Sequence, residues 1–116
     1  MTIREFYAAI DESCDEVLGR FGGSEAMLLR FLKKFTQDGT YLQLEEAMKK
    51  ESWEEVFRAA HTLKGLAANF GFNKLFRLSS RIVEEYRANN NGAIAPLFQE
   101  LKPVYAHITE QAALLV

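Results

Sequence analysis

Apolar positions recur along this chain in steps of three and four, the period that gathers them on one face of a helix. Between Thr2 and Gly19 they are Ile3, Phe6, Tyr7, Ile10, Cys14, Val17 and Leu18, which predicts an amphipathic helix with an interruption near Asp11. Ser24 stands where an N-cap belongs, ahead of a helix with Met27, Leu28, Phe31, Leu32 and Phe35 on its inner face. That helix should end before Gly39, in the left-handed conformation that glycine favours. Thr40 should then cap a shorter helix carrying Tyr41, Leu44, Ala47 and Met48.

Ser52-Trp53-Glu54-Glu55 is the strongest local signal. Ser52 is placed to cap free N–H groups while Glu55 bonds back to the Ser52 N–H. The helix it opens runs to Phe70, where Gly71 stops it. Another starts at Asn73, with Leu75, Leu78, Ile82, Val83 and Tyr86 inside, and ends in Asn89-Asn90-Asn91-Gly92. The last begins near Ile94 and tolerates Pro96 in its first turn, whereas Pro103 lies deeper and should kink or break it. No strand pattern, linker or repeat interrupts this series. The expected fold is all-α: an antiparallel four-helix bundle over residues 21–116, with one or two additional N-terminal helices in residues 1–20.

Composition agrees with helices. Ala (14), Leu (14) and Glu (13) supply 41 of the 116 residues, while Val, Ile and Thr contribute 5 each. Lys and Arg number 14 against 16 Asp and Glu, so the chain lacks the basic excess of a nucleic-acid binder. No apolar run approaches the ~20 residues of a membrane span. The first residues, MTIREFYAAIDESCDE, put acids where a secretory signal has an apolar stretch. One cysteine, Cys14, makes no internal disulfide and fits a reducing compartment, so a cytoplasmic location is expected; the chain is also expected to be a monomer. Cys14, His61 and His107 are too few and too scattered for a zinc site, and no glycine-rich nucleotide loop is present. The chain is therefore expected to bind no metal or nucleotide of its own, which disfavours an enzyme with its own nucleotide site.

The chemistry that remains sits on the helix opened by Ser52. With residues about 100° apart, Trp53, Val56, Ala60, Leu63 and Ala67 form the core stripe and His61 falls on its flank, near solvent. Arg58 and Lys64 lie three residues to either side of His61, and Gly65 lies one turn on, with Ala68 continuing the strip of small residues. An exposed imidazole is a nucleophile near neutral pH, and the cations would favour a phosphoryl group attached to it. A mid-helix glycine costs about 1 kcal/mol against alanine, so Gly65 asks for a reason, either close helix packing or access to the imidazole. Spacing alone leaves both readings open, as it leaves His61 open to being an ordinary surface histidine.

The run Ala60-His61-Thr62-Leu63-Lys64-Gly65-Leu66-Ala67-Ala68-Asn69-Phe70-Gly71 resembles the motif of histidine-containing phosphotransfer (HPt) domains, A-H-x-L-K-G-x-A-x-x-x-G. Phe21-Gly22-Gly23-Ser24-Glu25 resembles the start of that family's first bundle helix. Trp53-Glu54-Glu55 is similar to its D-W-E opening, with Ser52 in place of the acid. Leu75 and Glu84-Glu85 fall where the following helix of the family carries leucine and acids. The likeness extends from about Val17 to Val116. It implies a four-helix bundle in which His61 accepts a phosphoryl group from the aspartyl phosphate of a receiver domain and passes it to another receiver in a multistep phosphorelay. It also implies that Lys64 neutralises the phosphoryl oxygens and that Gly65 and Ala68 leave room for the receiver. Mg²⁺ would belong to the receiver, and a hybrid histidine kinase is a further partner. The rival readings are a helical module that docks receivers without carrying phosphate, and a kinase dimerisation domain. The second is disfavoured by Thr62 after the histidine and by the lack of a nearby proline.

Arg58, Phe72, Phe76 and Arg77 are candidates for a docking rim around His61. For Phe72 and Phe76 the simpler alternative is that both fill the corner between two helices. His107 is expected to be structural or solvated, Cys14 to be a small buried hydrophobe, and Arg30, Lys33, Lys34, Lys49 and Lys50 to lie on solvated faces.

Overall fold

A computed structural model describes residues 1–116. It contains α1 (Ile3–Ala9), α2 (Cys14–Leu18), α3 (Glu25–Phe35), α4 (Thr40–Lys50), α5 (Trp53–Phe70), α6 (Asn73–Arg87) and α7 (Ile94–Ala112), with short 3₁₀ turns at Gly19–Phe21 and Asn91–Ala93. Tight connections make α4, α5, α6 and α7 run alternately up and down, and they form the bundle. Tyr41 at the start of α4 stacks on Phe98 and Tyr105 of α7, which closes the ring of four helices. Alanine lines much of the inner face of α5, where Ala59, Ala60 and Ala67 are buried with Val56, Leu63 and Phe70. These short side chains let neighbouring helices approach closely.

The first predicted helix is two helices, because Asp11 turns left-handed at φ 58°. Together with α3 they cover the end of the bundle where α5 turns into α6. The bundle proper therefore begins at α4 rather than at residue 21. Phe35 of α3 packs on Phe70, Phe72 and Tyr105, and Phe6 and Tyr7 of α1 pack on Phe72. The backbone groups left free at that turn find partners in the same layer. Arg20 donates to the carbonyl of Ala68 at 2.7 Å and the Tyr7 hydroxyl to that of Phe70 at 2.7 Å. Glu12 accepts from the Asn73 side chain at 3.1 Å and from the Lys74 N–H at 3.3 Å. A helix end leaves several such groups without intrahelical partners, and here the layer supplies them from far along the chain. His107 of α7 donates to the carbonyl of Ala9 at 3.0 Å, the structural role expected of it. The two chain ends also meet, with the Val116 N–H donating to the carbonyl of Met1 at 3.3 Å.

Several local expectations are corrected. Gly39 is not left-handed (φ −89°); it is the N-cap of α4, and Asp38, not Thr40, supplies the side-chain acceptor, bonding the Thr40 N–H at 2.8 Å. Ser52 occupies the N-cap of α5 but its hydroxyl caps nothing. Its N–H already donates to Ala47 at 3.0 Å, where α4 ends with Glu51 left-handed, so Glu55 has no donor to reach. The reciprocal capping box is at Thr2 and Glu5 instead. Pro103 does not break α7, which runs through it. Trp53 and Tyr86 are half-buried rather than inside. Ser24 caps α3 by accepting from the Met27 N–H, and Gly71 ends α5 at φ 70°, both as expected.

Candidate functional site

His61 lies in the middle of α5 on its solvent side, flanked by the buried pair Ala60 and Leu63. The heptad spacing of α5 sends Val56, Ala60, Leu63 and Ala67 inward and so turns His61, Gly65 and Ala68 outward, where all three are exposed. The imidazole makes no hydrogen bond within the chain; its contact is the ring of Phe57, one turn back, with centroids 6.0 Å apart. A shallow depression runs beside it, lined by Phe57, Arg58, His61 and Thr62. It adjoins a second hollow between α4 and α5 lined by Gln43, Glu55, Arg58, Ala59 and Thr62.

Gly65 answers the question its sequence position raised. A methyl group built on its Cα would meet nothing within 4 Å, so no neighbouring helix requires the glycine. The bare backbone there leaves open space beside the imidazole. Gly71 is the opposite case: its added Cβ would collide with Cγ2 of Val17, and its φ is +70°.

The two cations flanking His61 differ. Lys64 is half-buried and its ammonium lies 5.9 Å from the centroid of the Phe76 ring on α6, a cation–π distance. Arg58 is exposed and forms an ion pair with Glu54, one turn back on the same helix, so part of its charge is already answered. Arg77 is exposed on α6 and makes no ion pair within the chain.

The four candidates for a docking rim come together only in part. Phe72 is fully buried, enclosed by Phe6, Tyr7, Phe35 and Phe70, and offers no surface to a partner. Its assignment to the rim is therefore withdrawn: it fills the corner between α5 and α6. Phe76 is half-buried beneath Lys64. Phe57 was missed from the sequence, although its position four residues before His61 puts it on the same face. Tyr86 and Arg87, which pack on Phe57, had no such local signal.

No cluster of three or more His, Cys, Asp or Glu side chains is placed to hold a metal ion, and no helix is long and apolar enough to cross a membrane. Comparison with curated proteins and with solved structures found no match. A family model described as Hpt domain matches residues 27–112, which include all four bundle helices and most of α3. The chain thus belongs to the Hpt domain family, which indicates phosphotransfer in a two-component phosphorelay.

Proposed function

We propose that this protein carries a phosphoryl group on His61, taking it from the aspartyl phosphate of a receiver domain and giving it to a second receiver. The observation that carries the reading is the exposed imidazole with open backbone beside it at Gly65, a glycine that no packing within the chain demands. A receiver must bring its own acidic pocket against the histidine, and a convex helix face with a gap in it suits that approach.

In the transfer, the lone pair of a ring nitrogen, which we assign to Nε2, attacks phosphorus. The N–P bond forms as the bond from phosphorus to the receiver's carboxylate oxygen breaks, and the electron pair leaves with the carboxylate. The other ring nitrogen keeps its hydrogen, so the ring becomes cationic until solvent removes that proton. Lys64 offers the phosphoryl oxygens an ammonium within reach of the same face, and charge-assisted hydrogen bonds of this kind are the strong ones. We assign the magnesium ion to the receiver. A hybrid histidine kinase is a further expected partner. The free, buried Cys14 fits a reducing compartment, and we place the carrier in the cytoplasm as a monomer.

Incubation with a phosphorylated receiver and Mg²⁺ should transfer acid-labile, base-stable label to the wild-type chain and none to His61→Gln. Label retained by His61→Gln would overturn the site. No label from any of a broad receiver panel would favour the phosphate-free docking module.

A further inference from the structure

We infer that Phe57 is the positioning residue for the His61 imidazole, an inference that rests on the carrier reading and adds to it. Side chains on an α-helix lean toward its N-terminus, so each lies over the preceding turn. For His61 that turn carries Phe57, whose ring centroid is 6.0 Å from that of the imidazole with the planes inclined at 49°. The imidazole has no hydrogen bond within the chain, so packing rather than a polar partner holds it.

Phe57 is itself held from the neighbouring helix. Tyr86 of α6 stacks on it at 4.8 Å with the planes 23° apart, and the Arg87 guanidinium carbon lies 5.4 Å from its centroid. The phenyl ring thus occupies the groove between α5 and α6 at the level of the histidine. A smaller side chain would leave room for the imidazole to fold into that groove. With Phe57 in place the ring is propped outward and the range of its side-chain torsions is narrowed.

This matters because in-line attack needs the reacting atoms about 3–3.5 Å apart and aligned, and a misplacement of about 1 Å costs on the order of a hundredfold in rate. Phe57 brings no charge and no proton to the reaction. Its effect falls on the transfer step and not on the affinity for the receiver.

The test uses the full chain with Phe57→Leu and Phe57→Tyr, each first shown by circular dichroism to keep its helices. The first readout is the pair of ring-proton resonances of His61 by NMR, which needs no phosphoryl transfer. They should be displaced by the Phe57 ring current in wild type and in Phe57→Tyr, and return toward those of a free histidine in Phe57→Leu. The second readout is transfer from a phosphorylated receiver. Phe57→Leu should lower the saturated rate about tenfold, leave the half-saturating receiver concentration unchanged, and be rescued by Phe57→Tyr. Resonances unchanged in Phe57→Leu overturn the inference, as does a rise in half-saturation at unchanged rate, which would make Phe57 a docking residue. If wild type itself takes up no phosphoryl group, the carrier reading fails and this inference fails with it. If wild type transfers and Phe57→Leu matches it, this inference alone fails.

Discussion

Lys64 reaches across from α5 to lie over the ring of Phe76 on α6, 5.9 Å from its centroid. The contact keeps the ammonium on the histidine side of the bundle without an acidic partner to neutralise it. A cation–π contact at a partly exposed site is worth about 0.5–1 kcal/mol, enough to bias a flexible side chain and too little to lock it. On the proposed carrier role, this holds Lys64 near the place where a phosphoryl group on His61 would form.

Replacing Lys64 by Ala should slow phosphoryl transfer about ten- to a hundredfold, the equivalent of one charged hydrogen bond of roughly 1.5–3 kcal/mol. Helicity measured by circular dichroism should be unchanged. Loss of helical signal would show instead that Lys64 holds the bundle together.

Gly65→Ala should move stability and activity in opposite directions. The exposed helical site gains about 1 kcal/mol from alanine, and thermal melting should rise accordingly. Transfer should slow, because the added methyl group occupies the gap beside His61. A melting rise with transfer at the wild-type rate would mean that the receiver does not use that space.

Gly71→Ala should be damaging for two separate reasons. The left-handed φ of +70° strains any residue with a Cβ, and that Cβ would collide with Cγ2 of Val17. Strain and overpacking together should cost at least about 2 kcal/mol, a fall in melting temperature of roughly 10 °C for a domain of this size. A melting temperature within a degree or two of wild type would contradict the close packing of α2 on the α5–α6 turn.

Alkaline pH should loosen the fold before it changes the backbone chemistry. Burial, with the nearby Glu45, raises the Tyr41 hydroxyl from 10.0 to about 12, and burial also pushes Tyr7 and Tyr105 up. An acid whose folded pKa is raised keeps its proton in the native state while the unfolded chain has already released it. Stability is therefore unaffected well below pH 10 and falls as the pH rises from about 10 toward 12. Thermal melts at pH 8 and pH 11 should show the loss, and Tyr41→Phe should show less of it. Equal losses in both proteins would remove Tyr41 from the explanation.

The parts of the fold that were legible in the sequence are those written within one or two helical turns. The ends of α5 and α6, the Ser24 cap, the stop at Gly71 and the outward face of His61 all follow from spacing over a few residues. Whether Phe72 served the rim or the corner was not settled by spacing, because it depends on Phe6 and Tyr7, more than sixty residues earlier in the chain. The caps supplied by Arg20 and Glu12 are equally remote from the helix ends they serve. Ser52 shows a different failure: the local signal was present, but the way α4 ends had already used the N–H that a capping box needs. At the site, His61, Lys64 and Gly65 could be placed by periodicity, whereas the support of Phe57 by Tyr86 and Arg87 needed the neighbouring helix.

The meeting of Met1 and Val116 gives the chain a nearly closed circuit. Sequence order is then partly a matter of where the ring is cut. A circular permutant of residues 1–116, joined by a short flexible linker and opened between the exposed Asn89 and Asn90, would keep every bundle helix intact. Such a chain separates two things that the natural order ties together. α1 to α3 would fold onto a bundle whose α7 precedes them, and the order of events in folding could be changed without touching the histidine face.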